Sequence, residues 1–303
     1  MARNVTRSAG EGLEGSCSPG WTSGRAPGPG ASGWLRSSGP LGGVERIEAW
    51  FPGRAFAKHR HDSYAIGRTL AGVQAFDYRG AALASTPGEV VVLHPDEAHD
   101  GRAGGEEGFG YRLIYVEPQL IAAAQRAILG RAAALPFASE AVSRNRRLAR
   151  AVAAAFLGPP EPLARDSLIL ELAKGLSEAD PSGPRRAPLR RVDLPAVERA
   201  RRFLDAEMGR VVRSRELEAV TGLTRFELSR HFQAVCGTSP YRYSLMRRLD
   251  FARRRIGETR SLAELAAAAG FADQAHFTRL FKAAFGLTPA RYGRLLVRET
   301  SDR

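Results

Sequence analysis

Cysteine is almost missing from this chain: two residues in 303, Cys17 and Cys236, far apart in sequence. A structural disulfide is therefore not expected, and a reducing cytoplasm fits as the location. No segment reaches the roughly 18 continuous apolar residues that a membrane span needs, so no membrane partner is expected. The N-terminus has no apolar signal-peptide core, and nothing marks the chain for export. No Ser or Cys nucleophile stands at a recognisable spacing from a base, so hydrolytic chemistry has no support. No catalytic residue is assigned, no cofactor is expected, and the chain does not read as an enzyme.

What is present is basic charge, concentrated at one end. Hydrophobic residues make up 44% of the 303 positions, enough for two soluble domains with separate cores. Residues 1–184 carry 20 Lys+Arg against 19 Asp+Glu, a net of +1, whereas residues 185–303 carry 25 against 13, a net of +12. A basic domain beside a neutral one is the footprint of phosphate binding. A genome-wide arginine bias would have charged both halves.

The basic part also contains a repeat. Leu228-Ser-Arg-x-Phe232 followed by Gly237-x-Ser-Pro-x-Arg-Tyr243 returns as Phe277-Thr-Arg-x-Phe281 and Gly286-x-Thr-Pro-x-Arg-Tyr292, at a constant offset of 49 residues. Two copies are too few for a solenoid, but they suit a tandem pair of helix-turn-helix units. In the first, Ser214 starts a helix that ends at Gly222. Thr224 with Glu227 forms a capping box for a second helix burying Leu228, Phe232 and Val235. In the second, Ser261 and Glu264 open a helix that ends at Gly270, and Asp273 caps one burying Phe277, Leu280 and Phe281. Between them Tyr241–Ile256 is amphipathic, with Leu245, Leu249, Ala252 and Ile256 on one face and arginines on the other. A helix of that length spans about 24 Å and can hold two recognition helices near one DNA turn, about 34 Å, apart.

Upstream, residues 1–42 are Gly-, Ser- and Pro-rich with little to bury, and read as a disordered tail. From 43 to 117 short apolar runs alternate with turn residues, the pattern of an all-β sandwich or barrel. Helical periodicity occupies 118–179, in a segment suited to dimerisation or coupling. A Pro/Gly-rich linker covers 180–192, and 193–297 is helical. The fold class expected is α+β in two domains.

The doublet, its connecting helix and the run Gly270-Phe-x-Asp-x-x-x-Phe-x-Arg-x-Phe-Lys-x-x-Phe-Gly-x-Thr-Pro289 resemble the DNA-binding domain of AraC-type transcriptional regulators over about a hundred residues. The resemblance implies that the second helix of each unit enters the major groove of promoter DNA. The implied base-facing residues are Arg225, Phe226, Ser229 and Arg230, then Gln274, Ala275, Thr278 and Arg279. Arg pairs with guanine and Gln with adenine; Phe226 and Ala275 offer only apolar contact. Arg247, Arg248 and Arg253 are candidate phosphate contacts, and a solvated helix face is the plainer alternative. For Arg230 and Arg279 the plainer reading is an intradomain salt bridge, for Phe226 packing, and for His276 a structural role.

His59-Arg-His61, with Pro87-Gly88-Glu89 and Pro95-x-x-x-His99 downstream, resembles the cupin-like ligand-binding barrel of the same regulators. Catalytic cupins hold a metal with two such histidines, a following carboxylate and a later histidine. His59, His61 and His99 fill three of those slots, but no carboxylate fills the fourth. The three can hold a metal, line an organic effector pocket, or be structural; no metal site is assigned, and Tyr64 joins the candidate effector residues. The function expected is a sequence-specific transcriptional regulator controlled by a small-molecule effector. Promoter DNA, RNA polymerase and a second copy of the chain are its expected partners. The alternatives are a metal-dependent cupin enzyme with a DNA-binding appendage, and a constitutive regulator whose barrel only dimerises.

Overall fold

A computed structural model describes residues 32–158, 161–182, 192–258 and 261–296. The expected tail is cut short by it. Residues 1–31 lie outside the described residues, but Trp34–Leu41 is strand β1, antiparallel to β2 (Val44–Phe51). Three features let this Gly/Ser/Pro-containing stretch pair. Leu35 is buried, Gly39 takes φ +70° where the register shifts, and Pro40 sits on an edge strand, where a missing N–H does little harm.

The remaining strands are β3 (Arg54–His59), β4 (Tyr64–Gly72), β5 (Gln74–Tyr78), β6 (Ala81–Ser85), β7 (Val90–Leu93), β8 (His99–Ala103), β9 (Phe109–Val116) and β10 (Val142–Ser143). They form a six-stranded sheet in the order β1-β2-β9-β4-β7-β10 and a four-stranded sheet in the order β3-β8-β5-β6, with every pairing antiparallel. The strands expected of a sandwich or cupin-like barrel are thus arranged as two sheets. Beyond the expected β region, β10 adds an edge strand from within the segment read as helical.

Alternation along the large sheet gives it two buried faces. Tyr64, Ile66, Val90, Val92, Ile114 and Val116 point to one side. There they meet α1 (Pro118–Leu129), α2 (Arg146–Ala154) and α3 (Pro162–Ala179) through residues such as Ile121, Leu148, Val152, Leu172 and Leu176. Ala65, Val91, Leu93, Tyr111 and Leu113 point to the other side, towards Phe76 and Tyr78 of the small sheet.

The C-terminal part consists of α4 (Leu194–Ala206), α5 (Ser214–Thr221), α6 (Arg225–Cys236), α7 (Pro240–Arg255), α8 (Leu262–Ala268), α9 (Gln274–Phe285) and α10 (Pro289–Leu295). The expected caps are in place. Thr224 and Glu227 cap α6 reciprocally, Ser239 and Thr288 cap helices opened by proline, Ser261 caps α8 and Asp273 caps α9. Of the expected linker, residues 183–191 lie outside the described residues.

The two units are built differently into the molecule. The first has its own core, where Leu217, Leu228, Phe232 and Tyr243 meet Val197 and Leu204 of α4. The core of the second, with Leu249, Phe277, Phe281 and Leu287, is continuous with the inner face of the sheets. The backbone joins them too: Ala57 N–H of β3 donates to Gly286 O (2.9 Å), and Leu296 bridges to Leu35 of β1.

Candidate DNA interface and effector pocket

On α6, Arg225, Phe226, Ser229 and Arg230 are all exposed, while Leu228 and Phe232 on the opposite side fill the core. On α9, Gln274, Ala275 and Arg279 are exposed and Thr278 is half-buried, above buried Phe277 and Phe281. Each second helix thus turns its predicted base-facing residues to solvent. Phe226 is 74% exposed, which removes the packing reading, and the Arg225 guanidinium lies 5.0 Å from its ring centroid. Among the described residues neither Arg230 nor Arg279 forms an ion pair; Arg230 Nη2 lies 3.3 Å from His231 Nε2. A cleft of about 620 Å³ separates the units, with Arg225, Ser229, Tyr241, Phe271 and His276 among its walls.

The three arginines expected at phosphates are engaged elsewhere. Arg248 donates through Nε to Ala269 O (2.9 Å) and through Nη2 to Gly270 O, with its guanidinium 4.3 Å from the Phe271 ring centroid. It therefore closes the turn of the second unit. Arg247 pairs with Glu117 (2.7 Å), Asp62 (3.0 Å) and Asp250 (3.4 Å). Arg253 is buried between Glu45, which it meets with both terminal nitrogens, and Asp250, and its Nη1 donates to the Tyr292 hydroxyl. Two of the three, Arg247 and Arg253, are thus fastened to carboxylates of the N-terminal domain. Sequence gave no warning, because the partners Glu45, Asp62 and Glu117 stand 130 to 208 positions away.

These pairs are set in low dielectric, which tunes them. Burial pushes the Glu45 carboxyl up, but the charge and hydrogen bonds of Arg253 outweigh it and hold the group below its ordinary value. Burial raises Asp62 to about 6; Arg247 opposes the rise, while Asp250 and Glu117 add to it.

The histidines behave as a group, and Tyr64 does not join them. His59, His61 and His99 are buried, with ring centroids 4.3 Å (His59–His99), 4.8 Å (His61–His99) and 6.2 Å (His59–His61) apart. Each rests its Nδ1 on a backbone carbonyl, of Ala57, Ser63 and Glu97 respectively, at 2.8 to 3.0 Å. Burial, reinforced by neighbouring histidines, keeps His59 and His61 well below the usual imidazole range, and burial brings His99 to about 4. All three are neutral near pH 7. Tyr64 faces the helices on the far side of the sheet, where its hydroxyl donates to Pro136 O (2.8 Å). The period-2 alternation of β4 sends it there. His94 is structural, accepting from Ala138 N–H at Nε2 and lying 2.9 Å from the Tyr78 hydroxyl through Nδ1. Among the described residues no group of three or more His, Cys, Asp or Glu side chains is placed to hold a metal ion.

Comparison with known proteins agrees with this arrangement. Residues 41–173 match the family model for the AraC-like ligand binding domain, and residues 217–294 match one for a helix-turn-helix domain. The uncharacterized HTH-type transcriptional regulator YbfI of Bacillus subtilis is 26% identical over 238 residues, 76% of this chain and 85% of that protein. The probable transcriptional regulator LumQ of Photobacterium leiognathi is 29% identical over 91 residues, and the alignment spans only 37% of its length. The structure of unsaturated fatty acid bound ToxT from Vibrio cholerae superposes with a TM-score of 0.58, covering 88% of this chain and 96% of that one. At 14% identity that likeness is one of fold. With a ligand-binding domain and a helix-turn-helix domain of these kinds in one polypeptide, the chain belongs to the AraC-type transcriptional regulators.

Proposed function

We propose that this regulator reads promoter DNA with α6 and α9 and that a small organic effector, bound by the N-terminal domain, controls the reading. The observation that carries the proposal is the pair of exposed helix faces: Arg225, Phe226, Ser229 and Arg230 on one, Gln274, Ala275, Thr278 and Arg279 on the other. Each stands on a helix fixed by a side-chain cap and a glycine terminator. Rigid support of this kind lets a few side chains discriminate bases at about 1–3 kcal/mol per good pair. The effector acts only if its affinity differs between DNA-competent and incompetent arrangements. ToxT is described with a fatty acid and with a naphthalenyl butenoic acid bound, which supports a small organic molecule as the controlling ligand. The relatives are named as transcriptional regulators, which favours this reading over an enzyme with a DNA-binding appendage. Two copies on repeated half-sites strengthen the contact, and RNA polymerase is the partner through which the regulator acts. No helix among the described residues is long and apolar enough to cross a membrane, and we place the protein's action in the cytoplasm.

Footprinting of the full chain on its own upstream DNA, across a salt series, tests the reading. Protection of about two helical turns per monomer that survives excess random DNA is expected. Protection abolished by random DNA would reduce the protein to a nonspecific basic binder.

A further inference from the structure

A second cavity, of about 240 Å³, lies on the seam between the two domains. One wall comes from the N-terminal domain, with His61, Asp62 and Glu117; the other comes from α7, with Arg247 and Asp250. Its volume is below the roughly 300 Å³ at which ordinary ligand pockets begin, so an occupant has few heavy atoms. Two properties of the walls say which kind.

The first is charge. Three carboxylates, those of Asp62, Glu117 and Asp250, crowd around the single Arg247 guanidinium at 2.7 to 3.4 Å. Deeper in, Arg253 is matched by Glu45 and shares Asp250 with Arg247, while Arg254 at the rim is exposed and has no ion pair among the described residues. The cavity lining therefore holds four carboxylates against three guanidiniums, in a setting where like charges are poorly screened. An anion, a fatty acid included, would meet repulsion there.

The second is an unmet acceptor. His61 is 4% exposed, and its Nδ1 is occupied by the Ser63 carbonyl, so the proton sits on Nδ1. Its Nε2 carries a buried lone pair with no hydrogen-bond partner among the described residues. A buried acceptor left unmade costs free energy until a donor arrives.

We infer that this interdomain cavity is a binding site for a small organic cation with an N–H donor, a primary ammonium, which donates to His61 Nε2 and offsets the Asp62–Glu117–Asp250 carboxylates. The inference rests on the effector-controlled reading above and names the chemical class of the ligand. Because the walls belong to different domains, the ligand touches both only while they are docked. It therefore stabilises the docked arrangement and shifts DNA affinity by its preference for that state.

The test uses the full-length protein and ethylammonium chloride, with tetramethylammonium chloride and sodium chloride at matched ionic strength as controls. A saturable rise in the thermal midpoint with ethylammonium alone is expected. Asp62→Asn and, separately, Glu117→Gln are each expected to weaken the apparent affinity roughly tenfold or more. Glu117 is on a partly exposed wall, so its variant gives a second, independent reading of the site. An equal rise with tetramethylammonium or sodium, or unchanged affinity in both variants, overturns the site. Footprinting the same preparations separates the two readings. A specific footprint without ethylammonium binding removes the site and keeps the regulator; binding without any footprint does the reverse.

Discussion

At the scale of single residues, burial decides what a charged side chain is for. Arg279 and Arg253 are both arginines of the basic domain, yet one is exposed and without an ion pair among the described residues while the other lies buried against Glu45. Arg279→Ala is expected to relax specificity at one base position and cost about 1–3 kcal/mol on the preferred operator. Binding-site selection on randomised DNA reads this directly, and an unchanged preference would remove Arg279 from the base-reading set. Asp62 makes a prediction in pH. Its acid is raised to about 6 from an ordinary 3.8, so the folded state holds the proton more tightly than the unfolded chain does. That contribution to stability is complete below about pH 4 and is lost as pH rises through about 6. At about 1.4 kcal/mol per pH unit between the two values, roughly 3 kcal/mol disappears across that window. Asp62→Asn mimics the protonated acid. Denaturant titrations should show it matching wild type near pH 4 and exceeding it at pH 7.5; a variant weaker than wild type at pH 7.5 would contradict this.

At the scale of elements, local rules placed the helices, and contacts with other elements set their jobs. Gly222 ends α5 of the first unit and Gly286 ends α9 of the second, both in the left-handed region, with φ +74° and +69°. The left-handed conformation costs a non-glycine residue about 1–2 kcal/mol at either site. A Cβ at 222 meets nothing within 4 Å, whereas one at 286 would lie 2.8 Å from Ala57 O and from His59 Nδ1. Gly286→Ala should therefore lower the melting temperature clearly more than Gly222→Ala and disturb the imidazole resonances of His59; equal losses would mean that α9 does not press on β3. The repeat predicted a glycine terminator for α6 and α9 alike, at Gly237 and Gly286. Nothing in it predicted that only the second copy would be seated on a strand. The alternation of β4 likewise carried the information that Tyr64 turns away from Ala65, but which face of the strand meets the histidines was settled by the second sheet.

At the scale of the whole molecule, the cores do not divide where the sequence divides. The second helix-turn-helix unit shares one apolar core with the inner face of the sheets, while the first unit keeps its own. Residues in one contiguous core open together. Native-state hydrogen exchange is therefore expected to group the amides of α9 with those of β3 and β8, and to release α6 at a separate, lower free energy. Exchange that instead grouped α6 with α9 would show the DNA-binding domain behaving as an independent unit. Docking of this kind gives an effector something to act on, since Arg247 and Arg253 bind carboxylates of the other domain only in this arrangement.

The sequence alone determined whatever is local or repeated. Capping residues, glycine terminators and 3.6-residue periodicity defined the two helix-turn-helix units, because each of those signals acts within a few positions along the chain. Strand alternation with turn residues defined a β-rich N-terminal domain, and the His59-x-His61 spacing put two imidazoles on one side of the chain. Tertiary structure decided the rest. It drew Trp34–Leu41 out of an apparently unstructured tail into a sheet, since an edge strand tolerates proline and a glycine bulge. It separated the strands into two sheets, with the inner face of the larger continuing into the core of the second unit. It also turned Arg247 and Arg253 onto the N-terminal domain. A guanidinium on a helix face carries no mark of its future partner, and carboxylates well over a hundred residues away become neighbours only when the domains meet.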